Sequence, residues 1–239
     1  MNIALLGYGK MGRAIEQLAI RRGHAVVLTI DIDNRDALTA ANLKKADVAI
    51  EFTRPESAPD NYRACFDAGI PVVSGTTGWL AQWDDIIRAM NAAEGTFFYA
   101  SNFSLGVNLF FLLNRQLAKL MAGRPEYRVS MEEVHHIHKL DAPSGTAITL
   151  AEALCETLPG ITSWTLDTPA ADSLKITALR EGQVPGIHRV RYESDIDTIT
   201  IEHSAKSREG FALGAVLAAE FSIGKKGVLT MNQLLNLKP

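Results

Sequence analysis

Cysteine is scarce in this 239-residue chain: Cys65 and Cys155 are the only two, each in an apolar, helix-like setting and neither in a CxxC pair. So low a count calls for no disulfide framework and offers no thiolate metal site. It predicts reduced core thiols in a cytoplasmic protein. Long hydrophobic runs are missing as well. The longest candidate, residues 105–113, is interrupted by Asn108 and ends at Asn114-Arg115. The roughly 20 apolar residues needed to span a bilayer are not reached, so no membrane partner is expected. The start, Met1-Asn2-Ile3-Ala4-Leu5-Leu6-Gly7, carries no basic leader and no cleavage pattern, so no signal peptide is expected. Basic charge is in no surplus: 24 Lys and Arg stand against 27 Asp and Glu, a formal net charge of −3. That argues against a nucleic-acid partner. Repeats and low-complexity tracts are absent. What is present, 47% hydrophobic and 21% charged residues, is an ordinary globular composition with room for one large domain or two modest ones.

The first hundred residues alternate strand and helix. Residues 2–6, 25–30, 46–52, 71–74 and 96–99 are short apolar or β-branched runs. Helical spacing occupies 12–22, 57–68 and 79–93 between them. This rhythm with short connections predicts a parallel, Rossmann-like sheet covered by helices on both faces. It changes near Ala100. A long helix is predicted over 107–121 and another over 144–157. Strand-like stretches at 127–135, 174–180, 186–193 and 198–203, bounded by Gly, Asp and Pro, suggest a mainly antiparallel sheet. A final apolar helix is predicted near 211–221, and 227–235 reads as a closing helix or turn. The expected α/β architecture is therefore a dinucleotide-binding domain over 1–104, with 208–239 packing back on it. A second, α+β domain over 105–207 would bind substrate and carry the oligomer contacts.

Gly7-Tyr8-Gly9-Lys10-Met11-Gly12 is a complete G-x-G-x-x-G. By itself it is a weak signal, but here it follows a strand and opens a helix, and Asp31 stands 19 positions beyond Gly12 at the next strand end. Gly7 permits the tight turn, Gly9 lets the backbone approach a pyrophosphate, and Gly12 lets helix and strand pack closely. The helix N-terminus adds free N–H groups and a partial positive charge. The alternative is a glycine-rich turn without a ligand. Asp31 is placed to accept hydrogen bonds from the adenosine ribose, and its charge opposes a 2′-phosphate, which favours NADH over NADPH. Ile32, not arginine, follows it. Lys10, Arg35 and Arg54 remain as cations for a phosphate, and Asp33 is the competing acid.

The densest chemistry lies in Glu132-Glu133-Val134-His135-His136-Ile137-His138-Lys139-Leu140-Asp141-Ala142-Pro143-Ser144-Gly145-Thr146-Ala147, where three of six histidines fall within four residues. H-H-x-H is not a usual zinc spacing, and no cysteine pair or HExxH accompanies it, so no metal is expected. Acid–base chemistry with anion recognition fits better. Histidine titrates near neutrality and lysine adds a fixed cation. Pro143-Ser144-Gly145-Thr146 then opens a helix, capped by Ser144 or Asp141, whose free N–H groups suit a carboxylate. A small dianionic substrate would suit this place. The bland alternative is a strand–loop–helix junction whose histidines serve backbone groups.

This stretch resembles the signature of the dihydrodipicolinate reductases, E-x-H-H-x-x-K-x-D-x-P-S-G-T-A, at Glu133, His135, His136, Lys139, Asp141, Pro143, Ser144, Gly145, Thr146 and Ala147. Further blocks resemble the family in the right order: Phe52-Thr53-Arg54-Pro55, Gly75-Thr76-Thr77-Gly78, Asn102-Phe103-Ser104-Leu105-Gly106-Val107, and Ser207-Arg208 with Phe211-Ala212-Leu213-Gly214-Ala215. The resemblance implies His135 as general acid and Lys139 as second proton donor or charge stabiliser. It implies that His136, Ser144, Gly145 and Thr146 hold substrate carboxylates. Phe52, Gly75, Thr76 and Thr77, with Ala100, Ser101, Asn102 and Phe103, would join Gly7 to Gly12 and Asp31 in the cofactor site. The activity implied is NAD(P)H-dependent reduction of 4-hydroxy-tetrahydrodipicolinate, through dihydrodipicolinate, to tetrahydrodipicolinate in diaminopimelate and lysine synthesis. The family also implies a homotetramer. Two rival functions remain at this point. An amino-acid dehydrogenase on the same plan would not need the 135–146 stretch. A cofactor-sensing regulator would need no acid or lysine beside the nicotinamide.

Overall fold

The structure, a computed structural model, describes residues 1–207 and 209–237. It opens with β1 (Asn2–Leu6), α1 (Lys10–Arg21) and β2 (Ala25–Ile30). A 3-10 turn (Ile32–Ala37) and a short helix α2 (Ala40–Leu43) lead to β3 (Val48–Glu51). Then come α3 (Ala58–Ala68), β4 (Val72–Ser74), α4 (Trp83–Ala92) and β5 (Thr96–Tyr99). The chain continues through α5 (Leu105–Met121), β6 (Arg128–His135), α6 (Gly145–Thr157), β7 (Ser163–Thr165), β8 (Ser173–Arg180), β9 (Ile187–Glu193) and β10 (Thr198–Ser204). It closes with α7 (Glu209–Ser222), β11 (Gly227–Leu229) and α8 (Met231–Leu234). These elements divide into two compact units: Met1–Leu105 with the segment from Glu209 onward, and the stretch from Gly106 through the described residues up to 207.

The first unit is built on a six-stranded sheet in the order β11-β5-β4-β3-β1-β2. All its pairings are parallel. Successive side chains on a strand face opposite sides, and β1 shows it. Ala4 and Leu6 join Ala49, Tyr62, Phe66, Trp79 and Phe97 in one core, while Ile3 and Leu5 join Ile15, Ile50, Phe98 and Val216 in the other. The unbroken apolar strands seen in the sequence are thus those of a sheet buried on both faces. Residues 227–235, expected as a helix or turn, instead supply the edge strand β11 before α8. Thr230 caps α8, accepting from the Gln233 N–H. A three-residue strand is too short to display a period, which is why the pattern did not separate it from a turn.

The second unit has a five-stranded sheet, β10-β9-β6-β8-β7. The expected antiparallel pairing holds for β6 with β9 and β9 with β10. It does not hold for β8, which runs parallel to β6 and to β7, so the sheet is mixed. Helix α6 lies in the connection from β6 to β7 and provides the long crossover that a parallel pairing requires. One sheet face packs with α5 and α6 in a core of Phe110, Met131, Leu150, Leu154, Ile176 and Tyr192. On β6, β9 and β10, Arg189 joins the carboxylates of Glu132 and Glu202.

Candidate active site

The turn from β1 into α1 is dictated by contact. Gly7 has φ +93°, and a Cβ there would lie 2.0 Å from the Phe52 carbonyl oxygen. A Cβ on Gly12 would lie 2.3 Å from the Gly7 oxygen. Gly9 differs: nothing lies within 4 Å of its Cβ position. It is the N-cap of α1, no side chain caps the helix, and the first turn holds no acid. Free N–H groups and the positive end of the helix therefore face open space, the arrangement that receives a phosphate. A 730 Å³ cavity beside this turn is lined by Gly7, Gly9, Asp31, Arg35, Phe52 and Arg54 among others. Asp31 accepts from the Ile32 N–H at 3.0 Å through one carboxylate oxygen. A second cavity, of 510 Å³, takes in Lys10, Met11, Gly75, Thr76 and Thr77, and shares Gly9, Phe52 and Thr53 with the first. The groups thus fit a dinucleotide laid across the carboxyl ends of the strands.

Under the second cavity lies Glu51, fully buried at the end of β3. Its carboxylate accepts from the Thr53 N–H and hydroxyl, from Thr76 Oγ1 at 3.1 Å and from Ser74 Oγ at 2.7 Å. Trp79 Nε1–H donates to the Thr76 carbonyl at 2.8 Å. The two loops that form the cavity wall are therefore tied to one buried acceptor. Of the other expected cofactor residues, Tyr8 donates to Glu16 and lies under the Arg13 guanidinium, 5.0 Å from its ring centre. Phe103 is buried and packs its ring 5.7 Å from that of Phe52, backing the cavity wall. The Ala100 N–H donates to the Ser74 carbonyl, Ser101 is exposed, and Asn102 Oδ1 accepts from the Ser104 N–H at 2.9 Å.

In the second unit β6 ends at His135, and the chain then turns, so the 135–138 segment is not one extended strand. His135 is buried, His136 half-buried and His138 exposed. Lys139 Nζ donates to both carboxylate oxygens of Asp141 at 2.8 Å. That pairing takes Asp141 away from the capping role and holds its carboxyl below its ordinary value. Ser144 is the cap of α6, its Oγ accepting from the Ala147 N–H at 3.2 Å. Gly145 and Thr146 form the first turn of that helix, with Gly145 exposed.

Behind these groups stands Glu133, fully buried. It accepts from the Ser144 N–H at 3.2 and 3.0 Å and from Arg180 Nη1 and Nη2, each at 3.4 Å. His135 Nδ1 lies 3.5 Å from it and His188 Nε2 lies 3.8 Å from it. Glu133, His135 and His188 are close enough together to suggest a metal. The Arg180 guanidinium already places a fixed positive charge on that carboxylate, and the Ser144 N–H also donates to it, whereas His135 Nδ1 makes no hydrogen bond. Burial lowers the proton affinity of His135, with Glu133 acting the other way and Lys139 and Arg180 adding to the lowering. Burial pushes His188 down further, from 6.5 to about 3. Arg180 also donates to the Asp141 carbonyl at 2.6 Å, which pins the loop between β6 and α6.

Comparison with known proteins agrees with this picture. The model of the dihydrodipicolinate reductase N-terminus matches residues 1–103, and that of the dihydrodipicolinate reductase C-terminus matches residues 106–235. The chain belongs to the dihydrodipicolinate reductase family. It is 50% identical over 238 residues to a 4-hydroxy-tetrahydrodipicolinate reductase of Christiangramia forsetii, covering 99% of this chain and 98% of that one. It is 33% identical to a 4-hydroxy-tetrahydrodipicolinate reductase of Ralstonia nicotianae, covering 99% and 100%. The dipicolinate-bound dihydrodipicolinate reductase of Paenisporosarcina sp. TG-14 has the same fold, with a TM-score of 0.78 at 20% identity over 100% of this chain and 99% of that one. This member of the dihydrodipicolinate reductase family is thus an oxidoreductase with a nucleotide-binding domain. Among its described residues no helix is long and apolar enough to cross a membrane.

Three residues of the two candidate sites were not visible in the sequence: Glu51, Arg180 and His188. Each sits at an ordinary strand position, and nothing in the local pattern marks it. Arg208, in one of the family-like blocks, lies outside the described residues.

Proposed function

We propose that this reductase converts 4-hydroxy-tetrahydrodipicolinate, by way of dihydrodipicolinate, to tetrahydrodipicolinate, and that it prefers NADH. The observation that carries the reading is the cluster in the second unit. A buried histidine and a lysine, His135 and Lys139, stand beside a Ser144-capped helix N-terminus able to take a carboxylate. A cyclic imine with two carboxylates supplies what these groups lack. One carboxylate draws Lys139 from Asp141, and His136, Ser144, Gly145 and Thr146 hold the other. Two negative charges arriving beside His135 raise its proton affinity against the lowering effect of burial. The ring is then protonated in the complex and returns its proton to the substrate as general acid. When bound, the reduced nicotinamide supplies the hydride.

Gly7, Gly9 and Gly12 receive the pyrophosphate, with Tyr8, Lys10 and Met11 around it. Phe52, Gly75, Thr76 and Thr77, backed by the Ala100–Phe103 loop, hold the nicotinamide half. Asp31, with one oxygen bonded to Ile32 N–H, has the other for the ribose hydroxyls. Its charge opposes a 2′-phosphate, while Arg35 and Arg54 on the same cavity allow some use of NADPH. The product serves diaminopimelate and lysine synthesis in the cytoplasm, and the working form is a homotetramer, testable by light scattering.

A coupled assay tests the reading. Pyruvate, aspartate semialdehyde and a dihydrodipicolinate synthase generate the substrate in place, and cofactor oxidation is followed by absorbance. Synthase-dependent oxidation is expected, faster with NADH. Absence of oxidation by folded protein that binds NADH would reject the reaction. In the same assay Asp31→Ala raises the KM for NADH more than that for NADPH; equal changes would remove Asp31 as the ribose ligand.

A further inference from the structure

The buried ring of His188 has no place in the chemistry above, yet it touches a residue that does. His188 Nε2 lies 3.1 Å from Ser144 Oγ. Both side chains are almost wholly buried, and His188 Nδ1 has no hydrogen-bond partner. The imidazole is neutral at physiological pH because burial opposes its charge, so it carries one N–H. Placed on Nδ1, that proton would be a buried donor without an acceptor, and orphaned buried N–H groups are rarer in proteins than under-satisfied acceptors. Placed on Nε2, it points at Ser144 Oγ and lies 3.8 Å from the Glu133 carboxylate, which favours it there. The Nε2–H tautomer is therefore the stable one, and His188 donates.

Ser144 Oγ then accepts twice, from His188 Nε2–H and from the Ala147 N–H at the first turn of α6. A hydroxyl oxygen has two acceptor positions and one proton. With both positions filled, its own O–H has to donate, and neither neighbour can accept. We infer that His188 is a positioning residue that fixes the Ser144 hydroxyl as a hydrogen-bond donor to a substrate carboxylate. Without His188 the hydroxyl is free to turn and present a lone pair, which repels a carboxylate. Glu133 completes the device by holding the Ser144 N–H from the other side. This assignment rests on the proposed dicarboxylate substrate.

The test uses dipicolinate as the probe, bound to the NADH-loaded full-length protein, together with the coupled assay. His188→Leu removes the donor. It is expected to weaken dipicolinate and raise the KM for the substrate by about tenfold or more, the size of a lost hydrogen bond to a charged group. NADH affinity should stay within about twofold, and kcat should fall by less than KM rises, because His135 and Lys139 are both kept although the His188 ring packs 5.1 Å from that of His135. His188→Gln places an amide N–H near the former Nε2 position and should restore most of the binding. In a Ser144→Ala background His188→Leu should add nothing further, because the two act through one bond. If His188→Leu does not fold, His188→Asn, whose amide stops short of Ser144, takes its place. Wild-type binding by the Leu variant, equal losses with Gln and Leu, or additive losses with Ser144→Ala would each overturn the inference. Wild-type protein that neither binds dipicolinate nor turns over the substrate would instead remove the reading beneath it.

Discussion

His135 is buried at the end of β6, 3.5 Å from Glu133, with Lys139 and Arg180 lowering its proton affinity. In the proposed reaction it gives up a proton once substrate charge has drawn one in. His135→Ala should therefore lose roughly 10²- to 10⁴-fold in kcat, the range of a lost general acid. NADH affinity, which belongs to the other unit, should be unchanged. Stopped-flow absorbance on the coupled substrate reads this directly, and near-wild-type turnover would take His135 out of the mechanism. At this scale the sequence was partly legible. His135, Lys139 and Ser144 crowd into ten residues, so local pattern exposes them. His188 and Arg180 reach the same site from 44 and 47 positions away from Ser144 and Glu133. Only strand pairing brings them in, and pairing between distant strands leaves no mark in a window of neighbours.

After β3 and β4 the wall of the proposed cofactor cavity depends on how closely two loops approach. A Cβ on Gly75 would lie 2.2 Å from the Phe52 ring, and that ring packs against Phe103. Gly75→Ala must therefore displace a ring with little room to move. The expected result is a loss of about 1–3 kcal/mol in stability, as for overpacking of a core, and weaker NADH binding. Thermal melting with and without NADH measures both. Unchanged values would show that Phe52 swings aside freely. The elements themselves were legible where apolar runs are strong: β1, β3, β4 and β5 read as buried runs because both sheet faces are covered there, while β2, at the sheet edge, is only partly buried. Strand direction in the second sheet was not. A period of two says which face a residue takes but not which way its neighbour runs, and β8 became parallel to β6 through the crossover that contains α6.

Across the whole molecule, the histidines whose proton affinity is lowered by burial, namely His135, His188 and His203, all belong to the second unit. For such a group the unfolded chain binds a proton more readily than the folded one. Stability is therefore full above the ordinary value of 6.5 and falls as pH drops toward the folded value. For His188, lowered from 6.5 to about 3, acidification from about pH 7.5 to 5 should remove about 2 kcal/mol. That window lies above the ordinary titration range of carboxylates, so it isolates the histidines. Hydrogen exchange should then show the amides of β6 and β9 losing protection at pH 5, while those of β1, β3 and β4 keep theirs. His188→Gln, which keeps the donor to Ser144 but cannot take up a proton, should flatten this response by the same 2 kcal/mol or so, leaving the smaller contributions of His135 and His203. Equal acid sensitivity in both units, or no change in the Gln variant, would mean that His188 is charged in the folded protein. The assignment of its proton to Nε2 alone would then be wrong.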